Sequence, residues 1–230
     1  MDNLYSAWGA KMSGQLAPQF DGVSRPYVYS DNKDKYYQTG TTYSNTISFS
    51  TANENGNTRF SLTNLDNDDI APNSTLDRNQ IGVNTSQKLG DNLTVDANMK
   101  YILEDQSGNP RLSDAPGNAN WILNNYAPSV DVNWAQGPNG DGRNDDLSEY
   151  RATPSIYVQN PWFAANYYIN DAEKERFIGS TNIRWDLAEF LYVRGQVGMD
   201  RFDAHRTMSE PYGTGYKPLG QINENKQTKK

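Results

Sequence analysis

The chain has 230 residues, a formal net charge of −7, one histidine and no cysteine. The acidic balance argues against a nucleic-acid partner, which needs clustered Lys and Arg, and the missing cysteines exclude a disulfide framework and a thiolate metal site. A mean hydropathy of −0.88, with no apolar run near the ~18 residues of a spanning helix, excludes helical transmembrane segments but not membrane-spanning strands.

The chain opens Met1-Asp2-Asn3-Leu4-Tyr5 without the basic and apolar regions of a signal peptide, so an exported product would be a fragment or a processed piece. A first pair of strands is expected over residues 43–52 and 58–66, flanking Asn55-Gly56, a dipeptide that tolerates the positive φ angles of a tight hairpin turn. A second pair, residues 78–89 and 93–104, turns at Gly90-Asp91-Asn92. Here Leu93, Val95, Ala97, Met99 and Tyr101 alternate with Thr94, Asp96, Asn98 and Lys100.

A third pair, residues 175–187 and 190–203, turns at Ala188-Glu189. Phe177, Thr181, Ile183, Trp185 and Leu187 alternate with Ile178, Ser180, Asn182, Arg184 and Asp186. Leu191, Val193, Val197 and Met199 alternate with Arg194, Gln196 and Asp200. A period of two needs an extended backbone, because strand side chains point alternately to opposite faces.

The connections run short, long, short, long, short. Up-and-down pairing puts the three tight turns at one end and residues 66–75, 105–174 and everything after Asp203 at the other, the asymmetry of transmembrane barrels with long extracellular loops. The 105–174 connection, roughly 70 residues, far exceeds the ~12 to 15 of a structureless loop and should carry structure or function of its own. Short strands are expected in it at residues 155–158 and 163–169, and turns at Gln136-Gly137-Pro138-Asn139-Gly140-Asp141-Gly142. The one basic run, residues 226–230, is expected to be a frayed terminus. The fold class is thus all-β, an antiparallel up-and-down segment of a transmembrane barrel.

Several strings resemble the SusC/RagA family of TonB-dependent outer-membrane transporters. They are Trp8-Gly9-Ala10-Lys11-Met12-Ser13-Gly14-Gln15, Phe20-Asp21-Gly22, residues 45–50 leading into Phe60-Ser61-Leu62-Thr63, and Leu76-Asp77-Arg78-Asn79. Next come Asn160-Pro161-Trp162-Phe163-Ala164, Arg176-Phe177-Ile178-Gly179-Ser180 ahead of Trp185-Asp186-Leu187, and Gly195-Gln196-Val197-Gly198-Met199-Asp200.

The resemblance implies the wall of a barrel of about 22 strands in the outer membrane of Bacteroidetes-type bacteria. It also implies a SusD-like surface lipoprotein as partner, TonB as energy source, and oligosaccharides or peptides as cargo. Only an early-to-middle part of the barrel is matched; the plug and TonB box have no counterpart. Six strands leave two open edges, which in lipid cost several kcal/mol per unsatisfied group, so an isolated piece should aggregate or pair.

Candidate chemistry is sparse. His205, in Asp203-Ala204-His205-Arg206, is expected in a solvated loop. Asp66, Asp68 and Asp69, and then Asp141, Asp145, Asp146 and Glu149, offer hard oxygen ligands but fit no EF-hand spacing, so no metal or other cofactor is expected. Aromatic residues of the long connection could stack on sugar rings or grip a peptide. Trp121, Trp134 and Trp162 lead, with Tyr126, Tyr157, Tyr167 and Tyr168; the alternative is that they pack the loop on itself or belong to the aromatic belt at the membrane surface.

Trp185, Phe190 and Tyr192 near a short turn, with Tyr101 and Phe177 opposite, have the placement of two membrane girdles. Arg59, Asp96, Lys100, Arg184, Asp186 and Arg194 would face a lumen. No phosphate-cradling loop, nucleophile elbow or dinucleotide fingerprint is present, so the chain is not expected to be an enzyme. Two other readings remain at this point: a soluble β-sandwich that binds glycans through aromatic loops, and an inactive truncated product. Strand length separates the first from a barrel, since sandwich strands average ~5 to 6 residues and membrane strands need ~9 to 11.

Overall fold

The computed structural model describes residues 9–153 and 155–229, so Trp8, at the head of the first family-like string, and Lys230 lie outside the described residues. Two short strands, β1 (Leu16–Pro18) and β2 (Ser24–Pro26), form a hairpin, and α1 (Asn32–Tyr36) follows. Then comes one antiparallel sheet whose strands lie in chain order. They are β3 (Thr41–Asn53), β4 (Gly56–Asp68), β5 (Thr75–Leu89), β6 (Leu93–Ser107), β7 (Ile169–Ala188), β8 (Leu191–Glu210) and β9 (Gln221–Lys229). The β6–β7 connection carries α2 (Ala119–Asn124), a 3-10 turn at Val132–Gln136, and α3 (Pro161–Tyr167).

The register sorts the side chains. Phe49, Phe60, Val83, Met99, Gly179 and Met199 stand abreast across six strands, and the rank beside them is Ile47, Leu62, Ile81, Tyr101, Phe177 and Arg201. Nearer the tight turns the same face carries Val95, Ile183, Leu93, Trp185 and Val193. Apart from Arg201, which pairs with Asp203, these residues make one apolar band, and it is bare: Ile47 is 77% exposed and Val197, on the same face, 70%. The opposite face carries Ser48, Ser61, Gly82, Lys100, Ile178 and Asp200 in one rank and Arg59, Asn84, Asn98 and Ser180 in the next. In the loop-proximal halves of β4 to β7 this polar face is half-buried while the apolar face is exposed, as the curvature of a sheet toward its polar side imposes.

Several expectations change. The strands run to 20 residues in β7 and β8, beyond the range expected of them, and β9 adds a seventh. The added length of β7 carries outward Asp171 and Glu173, which break the apolar alternation without breaking the pairing. Residues 226–229 are strand and not a frayed tail, and His205 lies within β8 opposite Glu173 and Lys226, not in a loop. Residues 155–158 form no strand, and Phe163 to Tyr167 are helical, because Asn160 caps α3 with its side chain and Pro161 opens it. Tyr192 faces the polar side, under the Arg184 guanidinium at 4.4 Å, and so leaves the girdle.

The β-sandwich reading fails on geometry. Among the described residues no second sheet covers the apolar face, and strands of 13 to 20 residues separate β3 to β8 from sandwich strands. The hydrophobic core lies elsewhere, in the loop-end domain: Tyr36, Ile122, Leu123, Val132, Val158 and Phe163 are its buried centre.

The first hairpin turns on Glu54 and Asn55, with Asn55 N–H bonded to Asn53 Oδ1 at 2.9 Å. Asn55 takes no positive φ; Gly56 follows with φ +157 and presses its backbone against β5. A Cβ on Gly56 would sit 2.1 Å from the Ser86 carbonyl oxygen, whereas one on Gly90, at φ +73, meets nothing within 4 Å. Gly56→Ala should therefore cost about 2 to 3 kcal/mol and Gly90→Ala only about 1 kcal/mol. Denaturant titration of the detergent-refolded chain measures the difference, and equal costs would contradict the close approach.

Candidate functional site

Two regions carry polar groups that converge: the concave face of the sheet and the loop-end domain above it. On the concave face, Arg59, Asp96, Lys100, Arg184, Asp186 and Arg194 all stand as the sequence placed them, on the side opposite the apolar band. Toward the tight turns this face forms a cleft of about 250 Å³ lined by Asn57, Asn84, Ser86, Asp96, Asn98 and Asn182. Its walls are amides and hydroxyls with the one carboxylate of Asp96, and Asn98 Nδ2 donates to Asn84 Oδ1 at 2.5 Å. Toward the loops a second cleft of about 260 Å³ is lined by Arg78, Gln80, Ile102, Glu104, Lys174 and Arg176. Arg78 pairs with Glu104 at 2.7 Å, and Arg176 Nε donates to Asp200 at 2.9 Å.

Charge is sorted by face at the loop end. The concave side holds Arg78, Lys100, Lys174, Arg176 and Arg206 against Glu104, Asp200 and Glu210. The convex side at the same height presents Asp66, Asp77, Asp105 and Glu173 abreast on four neighbouring strands, with Glu175 and Asp203 one rank below. Like charges directly opposite across strands are destabilising unless water screens them, so this collar marks where the apolar band gives way to solvent.

The loop-end domain is tied together by buried polar side chains that the sequence did not single out. Asn160 is 1% exposed. Its Oδ1 accepts from the N–H of Trp162 at 2.9 Å, capping α3, while its Nδ2 donates to the carbonyls of Ala135 at 2.5 Å and Tyr150 at 2.7 Å. Glu149, 3% exposed, accepts from Asn160 N–H at 2.6 Å and from Gly215 N–H at 2.8 Å, joining the long connection to the β8–β9 loop. Burial pushes the Glu149 carboxyl up; the two backbone donors and Arg151 pull the other way. Asn32 clips α1 to the same domain, donating to the Val130 carbonyl at 2.9 Å and accepting from Val132 N–H at 2.9 Å. Burial also raises the phenols of Tyr36, Tyr126 and Tyr168 well above their ordinary range.

The three candidate tryptophans do not stand free. Trp121 packs on the domain core from α2, and Trp162 packs there too, its Nε1–H donating to the Val132 carbonyl at 2.9 Å and its ring 5.0 Å from that of Tyr36. Trp134 lies under the Arg25 guanidinium at 4.5 Å. Of the tyrosines, Tyr126 is buried, Tyr168 bonds Thr214 at 2.7 Å, and Tyr167 stacks with Arg143 at 4.4 Å. Tyr157 stays open, 60% exposed and 5.9 Å from Tyr216 of the β8–β9 loop. The loop carboxylates serve neighbouring amides: Asp141 accepts from Arg143 N–H at 3.1 Å and Asp146 from Ser148 N–H at 3.0 Å. Among the described residues, no three His, Asp or Glu side chains are grouped so as to hold a metal ion.

Two outcomes follow from the buried hub. Asn160→Ala removes a helix cap and two buried donors, a loss of about 3 kcal/mol or more, so limited proteolysis should cut within residues 108–168 while the strand signal in circular dichroism persists. A carboxyl whose folded pKa is raised binds its proton more readily folded than unfolded, so its stability contribution is largest below the ordinary value of 4.5 and falls as pH rises through the folded value. Hydrogen exchange, corrected for intrinsic rates, should show the Asn160 and Gly215 amides better protected at pH 5 than at pH 7. Glu149→Gln should flatten that difference.

No protein-family model matches the chain, and no curated protein does. Among solved structures it is similar to a chain of the RagAB peptide importer in its "closed-closed" state and in its "open-open" state. Each match is 18% identical with a TM-score of 0.60 and covers 86% of this chain but 22% of the importer chain. The chain therefore spans less than a quarter of the length of the structures it matches. What the likeness establishes is the fold, an antiparallel up-and-down sheet of the kind found in that importer.

Proposed function

We propose that this chain forms part of the wall of an outer-membrane transporter that imports oligosaccharides or peptides. On this reading it works with a SusD-like surface lipoprotein, draws its energy through TonB, and catalyses no reaction itself. The observation that carries the reading is the continuous, bare apolar band on one face of a sheet whose other face is polar and concave. In water such a band of adjoining Ile, Phe, Val, Met and Trp side chains would leave a large apolar area unburied; in a bilayer it is the contact surface.

The dimensions agree. From Phe177 to Leu187 the strand advances ~33 Å, or ~25 Å in height once tilted by ~40°, the depth of an outer-membrane apolar band. The rest of β7 and β8 then stands above the membrane and lifts the loop-end domain into the surrounding water, with the acidic collar at the boundary. The exposed Tyr157 and Tyr216, with ring centroids 5.9 Å apart, make an apolar patch on that domain where a lipoprotein partner would rest. Of the candidate tryptophans, Trp134, half-buried beneath the Arg25 guanidinium, is the aromatic contact we assign to cargo.

The test is insertion of the refolded chain into lipid vesicles. The unaltered chain should resist carbonate extraction. Ile183→Lys, on the apolar face, should weaken insertion by about 2 to 4 kcal/mol, and Ser180→Lys, on the concave face, should leave it unchanged. A chain that stays in the aqueous phase as a folded monomer, indifferent to both substitutions, would refute the reading.

A further inference from the structure

Within the concave face, the loop-proximal cleft differs in kind from the turn-proximal one. The latter is walled by amides, hydroxyls and the Asp96 carboxylate, with no cation; the former is walled by three cations, one carboxylate, one amide and one aliphatic side chain. Two adjacent ranks build it. Arg78, Glu104 and Lys174 stand abreast on β5, β6 and β7, and Gln80, Ile102 and Arg176 stand abreast beside them. Arg78 is committed to Glu104 and Arg176 to Asp200. Lys174 is in no ion pair among the described residues, and its ammonium rests 5.6 Å from the Phe202 ring. Lys100, one rank below Arg176, adds a further positive charge on the same face.

This arrangement does not follow from the overall charge of −7, which would repel an anion. On the concave side at this height Arg78, Lys100, Lys174 and Arg176 outnumber Glu104 and Asp200, so that side presents a positive local field inside an acidic protein, and a walled cleft strengthens such a field. A neutral oligomer would gain nothing from Lys174, whereas a carboxylate between Lys174 and Arg176 would gain charge-assisted hydrogen bonds from both.

We infer that the cleft of Arg78, Glu104, Lys174 and Arg176 is a carboxylate-binding subsite, and that the oligomer passing along this wall is acidic, an acidic peptide or a uronic-acid-bearing oligosaccharide. The inference rests on the transporter reading for the word "passing" and on the cleft alone for binding.

The two parts are separable by experiment. The 230-residue chain in detergent micelles is titrated at low salt with fluorescein-labelled hexaglutamate and hexagalacturonate, with maltohexaose and hexalysine as neutral and cationic controls. Binding of at least one acidic oligomer should be about tenfold tighter than that of either control. Lys174→Gln should weaken it about fivefold, and Glu104→Gln, which removes the carboxylate from the cleft, should tighten it by a similar factor. Opposite changes from two neutralising substitutions cannot come from misfolding.

Hexaglutamate binding alone identifies a peptide ligand, and hexagalacturonate binding alone an acidic glycan. Equal affinity for acidic and neutral oligomers, or acidic binding unmoved by both variants, overturns the subsite. Vesicle insertion of the same preparations is scored separately. A chain that inserts without discriminating charge loses this inference and keeps the transporter reading; one that discriminates without inserting keeps the subsite and loses the transporter.

Discussion

The register between β6 and β7 is the constraint on which the rest depends. These strands are separated by the long connection, so no tight turn sets their alignment, yet Met99 meets Gly179 and Tyr101 meets Phe177 without a bulge. A slip of one residue would bring Lys100, Asn98 and Asp96 onto the face of the apolar band and turn Tyr101 and Met99 inward. The alternation on both strands makes that exchange unfavourable at every position at once. The concave clefts, the convex collar and the bare band are three consequences of this single alignment.

The long connection pays for its length by folding. Its backbone would otherwise present some sixty residues of polar groups without regular partners; instead α2, α3 and the 3-10 turn enclose the protein's apolar core. Glu149 and Asn160 hold the pieces together at the cost of desolvating a carboxylate, and Glu149 reaches across to Gly215 in the β8–β9 loop. The domain is thus coupled to the sheet through the ends of β6, β7, β8 and β9, and a ligand or partner that shifts the β8–β9 loop must act on the Glu149 hub.

Much of the sheet was legible because a strand's faces follow from parity alone. Ile183 and Ser180 can be assigned to opposite sides from their numbers. Legibility ended where chemistry replaced apolarity: Asp171 and Glu173 continue the pairing but look like loop, and β9 offers Ile222 as its one large apolar residue. Helix α3 carried a readable signal, Asn160 before Pro161, which outweighs the β-branched and aromatic residues around it. The Glu149 hub and the pairing of Arg78, Glu104 and Lys174 had no local signal, because their partners lie on different strands and loops.

The central claim is that the apolar face meets lipid and the polar face meets water. The absence of native cysteine makes a direct measurement clean. Single cysteines placed at each position from 177 to 185 in β7 carry a nitroxide, and its collision rates with oxygen, which partitions into bilayers, and with a water-soluble nickel chelate are compared in lipid vesicles. The account predicts a period of two, with oxygen favoured at 177, 179, 181, 183 and 185 and the chelate favoured at the even positions. Equal access of the chelate to both sets would contradict it.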